Sequence, residues 1–150
     1  MRAEAIFIPM LTLVFWTFAI VTFLAYKRFG AIFAGRAKPG HFKIGESEKV
    51  PDDIRVVARN VANLFEMPVL FYAVCISSYV IHQISTPLLV LAWCYVGLRI
   101  IHSLVHVTYN HLLYRFSIYL ASCLLLLIMW ISFAVSLHNV SEVSRFWPFH

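Results

Sequence analysis

The chain has 150 residues, 61% of them hydrophobic and only 13% charged, with a formal net charge of +5. Its mean hydropathy of +0.81 excludes an ordinary soluble domain and fits a polytopic membrane protein. The positive charge does not point to nucleic acid, because six of the twelve Lys and Arg side chains lie in one stretch between two apolar runs.

The first of these runs, Ala5–Tyr26, is long enough to cross a hydrocarbon core of roughly 30 Å, which takes about 20 helical residues. It does not read as a cleaved signal peptide: the apolar stretch is too long, Glu4 interrupts the short leading segment, and no small-x-small site follows. It is expected to be retained as a membrane helix. Lys27, Arg28, Arg36, Lys38, Lys43 and Lys49 come next, a positive-inside pattern that assigns this loop to the cytoplasm and both termini to the other side. Arg2 and Arg145 oppose that orientation weakly, each near a glutamate, Glu4 or Glu142.

A second helix is expected over residues 52–82. Pro51 suits a helix start, and Asp52 and Asp53 suit the positive end of the helix dipole. At 1.5 Å per residue it would be ~46 Å long, so its first turns should project into the interface. Arg55, Arg59, Asn63 and Glu66 recur at i, i+4, i+8 and i+11, which puts them on one face. Pro68 removes a backbone donor and frees the carbonyl of Leu64, so a bend beside the polar residues is expected.

The His82–Thr86 connection carries no Lys or Arg and should face away from the cytoplasm. The third helix, expected over 87–112, carries Arg99, His102 and His106 at i, i+3 and i+7, extended by Tyr109 and Asn110. Counting depth from the ends of the apolar runs puts Glu66 ~8 Å and Arg99 ~13 Å below the cytoplasmic face, with His102 between them and His106 near Asn63. A lone arginine at a membrane-helix centre costs ~2.5–3.5 kcal/mol, and Glu66 is its expected partner. The fourth helix is expected over 116–137, just after Arg115. The runs lack the alternation of a transmembrane barrel, so the fold class is an all-α bundle of four transmembrane helices in one domain, 1–150.

Arg55, Arg59, Arg99 and Arg115 outnumber the single carboxylate of Glu66 near the cytoplasmic half. That surplus prepares a cavity for an anion, since arginine forks match carboxylates while Glu66 could receive an ammonium group. A small zwitterion with extra carboxylates fits, and glutathione is one. A pair that merely glues helices together would explain Glu66 and Arg99 but not the other cations. No metal or haem is expected, because His102 and His106 share one face without converging further ligands. A transporter would need polar groups through the outer half, where Val69–Ile76 and Leu88–Val96 supply few. Cys75, Cys94 and Cys123 occur singly, without a C-x-x-C pair, and read as buried small hydrophobes.

Together these stretches resemble the MAPEG family, membrane-associated proteins in eicosanoid and glutathione metabolism. The likeness rests on Arg-x-x-x-Asn-x-x-Glu followed shortly by proline (Arg59, Asn63, Glu66, Pro68), then Arg-x-x-His-x-x-x-aromatic and a basic residue (Arg99, His102, His106, Arg115). It implies a homotrimer with glutathione, as co-substrate, bound between neighbouring subunits and open to the cytoplasm and the lipid. By matching position, Arg59, Asn63, Glu66, Arg99 and His102 would bind glutathione, and Arg115 would face its thiol. Arg55 joins the binding set through its place on the same face, and His106 is a candidate hydrogen-bond donor or base. The activated thiol would attack a lipophilic electrophile, or reduce a hydroperoxide, drawn from membrane lipid. His106 stands where a tyrosine is usual, and the proline lies closer to Glu66 than in eukaryotic members. The stretch "HSLVHVTYN" is similar to bacterial members, which implies an inner membrane. Because the family includes a lipid-binding member without enzymatic activity, a non-catalytic accessory protein on the same fold is the alternative.

Overall fold

The structure, a computed structural model, describes residues 2–43, 48–109 and 111–146, with side chains through residue 139. It contains four long helices, α1 (Phe7–Phe33), α2 (Asp52–Val80), α3 (Thr86–Val107) and α4 (Leu112–Phe146), with single 3-10 turns at Ala3–Ile6 and Pro39–Phe42. All four are long and apolar enough to span a membrane. The all-α four-helix class read from the sequence is the observed one.

The helix ends differ from expectation for local reasons. α1 continues seven residues past Tyr26, because lysine and arginine propagate a helix well once it is nucleated in the apolar run. It stops at Gly35, whose φ of +69° closes the chain. Arg36 N–H bonds the carbonyl of Ala31 at 2.8 Å and Gly35 N–H that of Ile32 at 3.0 Å, satisfying two carbonyls the helix would leave open. α2 ends in the same way at His82, where φ is 55°, with His82 N–H on Tyr79 and Gln83 N–H on Ser78, both at 3.0 Å. A non-glycine residue in that left-handed region is strained by ~1–2 kcal/mol. α3 starts from Ser85, whose hydroxyl oxygen accepts from Leu88 N–H at 3.3 Å, with proline in its first turn.

α3 stops at Val107, short of residue 112. The backbone leaves the helical region at Thr108 (φ −104°, ψ −85°), whose hydroxyl donates to the carbonyl of Leu104 at 2.7 Å. Tyr109 therefore sits in a turn, 87% exposed, and does not extend the polar stripe; Asn110 lies outside the described residues. α4 begins at Leu112, a turn earlier than expected, and runs on past residue 137. Arg115 thus belongs to the first turn of α4 rather than to the connection before it.

α1 packs on α2 and α3, α2 also packs on α3 and α4, and the α3–α4 contact is the most extensive. Phe71 of α2 stacks on Tyr95 of α3 at 4.6 Å. Beside the basic loop, Asp53 pairs with Lys27 at 2.9 Å and Arg36 at 3.8 Å, fastening the end of α1 to the start of α2. Pro68 is buried inside α2, which continues through it. Of the three cysteines only Cys75 is buried; Cys94 is exposed and Cys123 partly so, a correction that follows from their places on outward sides of α3 and α4.

Candidate functional site

The polar face of α2 is a staircase rather than a straight stripe. At 3.6 residues per turn, each i+3 step falls ~60° short of a full rotation, so Asn60, Asn63 and Glu66 turn progressively away from α3. Asn60 is fully buried and Asn63 partly so, while Glu66 is exposed. Asn60 Nδ2 donates to Ser103 Oγ at 2.6 Å, locking α2 to α3. Arg99, buried with 0% exposure, donates through Nη2 to the backbone carbonyl of Asn63, and its guanidinium lies over the Tyr119 ring, 5.4 Å from the centroid.

This geometry corrects two expectations. Arg99 and Glu66 form no ion pair among the described residues, because Glu66 points off the face that α3 covers. The pairing of α3 with α2 also differs from the expected one: Arg99 reaches the carbonyl of Asn63, and His106 lines a cavity with Arg55 and Arg59.

Two neighbouring cavities result. One, of ≈ 290 Å³, is lined by Asp52, Arg55 and Arg59 from α2, His106 from α3 and Arg115 from α4. Asp52 pairs with Arg55 at 3.0 Å. The carboxylate among these arginines is thus Asp52, not Glu66, and Arg55 does have an acidic partner. The other cavity, of ≈ 170 Å³, is lined by Asn63, His102, Phe116, Tyr119 and again Arg115. Arg115 is the wall the two share. Among the described residues that line the first cavity, three guanidinium groups face one carboxylate, and at the edge of a low-dielectric bundle such an excess attracts anions.

Two histidines on one face of α3 reach Arg115. His102 Nδ1 lies 3.0 Å from the Arg115 carbonyl; a carbonyl only accepts, so Nδ1 carries the proton and Nε2 keeps a lone pair. His106 Nε2 lies 3.4 Å from Arg115 Nη1; guanidinium only donates, so here Nε2 is the acceptor. Arg99 Nε and Nη1 and His102 Nε2 are buried and have no hydrogen-bond partner among the described residues. Native structures rarely leave such groups unsatisfied.

Of the residues singled out in the sequence, Arg55, Arg59, His106 and Arg115 meet at one cavity, and Asn63, His102 and Arg115 at the other. Arg99 stands behind the second through Tyr119. Glu66 joins neither. Asp52, Ser103 and Tyr119 were not anticipated at the site, although Tyr119 follows Arg115 by four residues, the helical spacing that puts two side chains on one face. Among the described residues no three His, Cys, Asp or Glu side chains converge as metal ligands do. A separate apolar groove of ≈ 230 Å³ runs between α1 and α2, lined by Thr17, Phe18, Val21, Leu64, Phe65 and Tyr72 among others.

The model of the MAPEG family matches residues 6–135. None of the curated proteins and none of the solved structures matches the chain.

Proposed function

Because the chain belongs to the MAPEG family, a four-helix membrane family of glutathione and eicosanoid metabolism, we propose that this multi-pass membrane protein is a glutathione-dependent transferase or peroxidase. The observation that carries the reading is Arg115 at the wall between a cationic cavity and a second, mixed one. Arg55 and Arg59 suit the two carboxylates of the tripeptide. Asn63 and His102 would meet its amides, with Arg99 backing them from behind Tyr119, and Arg115 takes the sulfur. In the transferase reaction the thiolate forms a carbon–sulfur bond while a leaving group departs or an electrophilic double bond or epoxide opens. In the peroxidase reaction the O–O bond breaks, the hydroperoxide becomes an alcohol and water, and two glutathiones become the disulfide.

The whole chain acts as one domain in this reading, and the active unit is a homotrimer. Glu66 supports that assembly: an exposed carboxylate midway along a membrane helix is costly against hydrocarbon, and a neighbouring subunit would cover it and complete the site. The lipophilic substrate would arrive from membrane lipid. The basic loop would lie in the cytoplasm and both termini outside it, in a bacterial inner membrane, a reading supported by the six Lys and Arg side chains of that loop. The alternative, a non-catalytic lipid-binding protein on the same bundle, draws its support from the apolar groove between α1 and α2.

Turnover separates the two. The reconstituted protein supplied with glutathione is expected to convert a generic aryl halide to its thioether, or a fatty hydroperoxide to its alcohol, well above the uncatalysed rate. Tight lipid binding with neither conversion would establish the accessory reading instead.

A further inference from the structure

We infer that His102 and His106 are positioning residues that grip Arg115 at two points, its backbone and its guanidinium, an inference that rests on the proposed function. The two histidines are one turn apart on α3, so they share a face, and their rings lie 5.8 Å apart. The short connection from Thr108 to His111 brings the first turn of α4 beside them. His102 Nδ1 donates to the Arg115 carbonyl at 3.0 Å and His106 Nε2 accepts from Nη1 at 3.4 Å.

The choice of partner has a physical reason. Arg115 shares its cavity with Arg55 and Arg59, and like charges would drive its long, flexible side chain out toward water. A neutral imidazole lone pair holds a guanidinium without adding charge of its own. Among the described residues lining this cavity the acid is Asp52, which is engaged with Arg55. The same lone pair cannot accept a proton from a thiol while it accepts from Arg115, so His106 acts through the arginine and is not the base.

Two arms test this. The first uses no thiol: in histidine-labelled protein in detergent, the nitrogen-15 signal of His106 Nε2 is expected to read as an unprotonated acceptor and to move in Arg115→Leu. The second reads turnover. His106→Phe is expected to lower kcat by about tenfold or more, with KM for glutathione changed less than about threefold. His106→Gln, which keeps the shape and an acceptor oxygen, should recover most of the loss. His106→Phe combined with Arg115→Leu should be no slower than Arg115→Leu alone, because both remove one effect. An Nε2 signal that ignores Arg115, an additive double variant, or a Gln variant as slow as Phe would overturn the grip. Catalytic failure of the unmodified protein with the Arg115-dependent signal intact would overturn the proposed function and leave the contact standing.

Discussion

Arg115→Leu is expected to lower turnover ~10²-fold while assembly and glutathione affinity stay nearly intact. A thiol is a poor nucleophile until ionised, and a free thiol has a pKa near ~8.5. Lowering that by two units takes ~2.7 kcal/mol of preferential stabilisation of the thiolate. A fixed cation beside the sulfur supplies it, and arginine stays charged at any working pH. Arg115 lies in the first turn of α4, lines both cavities and is held by two histidines. Arg55 and Arg59 remain in the variant to bind carboxylates, which is why affinity should survive. The check is the ultraviolet thiolate absorbance of the bound tripeptide beside kcat with a generic electrophile. Loss of both, with binding retained, is the expected outcome. A variant that keeps the thiolate signal and full turnover would make Arg115 a headgroup anchor of the kind basic residues form at helix ends.

Glu66→Gln is expected to weaken glutathione binding by ~1.5–3 kcal/mol, about ten- to a hundredfold in Kd. The substitution keeps the shape and removes the charge that would receive the ammonium group. Glu66 lies midway along α2, exposed in the single chain and in no ion pair among the described residues. In the proposed reading its partner is a ligand or a neighbouring subunit. Native mass spectrometry in mild detergent should show three chains for both proteins, and calorimetry should show the weaker affinity. An unchanged Kd in a trimeric Gln variant would make Glu66 a structural residue of the assembly.

Much of the fold was legible because each span announces itself by an apolar run and each start by a local signal, such as Asp52 and Asp53 at α2. The ends were less legible. The stop of α3 at Thr108 depends on a hydroxyl bonding back to Leu104, which no composition reveals. The expected Glu66–Arg99 pair is replaced by a bond from Arg99 to the Asn63 carbonyl, because Glu66 turns off the face that α3 covers. Arg55, Arg59, His106 and Arg115 line one cavity because helical spacing fixes which side chains share a face. Asp52 and Tyr119 were missed because their contribution depends on neighbouring helices: Tyr119 matters only once Arg99 and His102 of α3 lie against its ring, at 5.4 Å and 5.7 Å.

The central claim is that the cationic cavity takes a thiol tripeptide, and ligand-dependent thermal stability of the detergent-purified protein tests it most directly. A ligand at a hundred times its Kd stabilises the state it binds by ~2.7 kcal/mol. Glutathione should raise Tm progressively with concentration. A simple thiol without carboxylates and a plain dicarboxylate without a thiol should each do far less, and Arg59→Leu should abolish most of the shift. No shift with glutathione, or an equal shift with the dicarboxylate, would contradict the claim and leave a general anion site in its place.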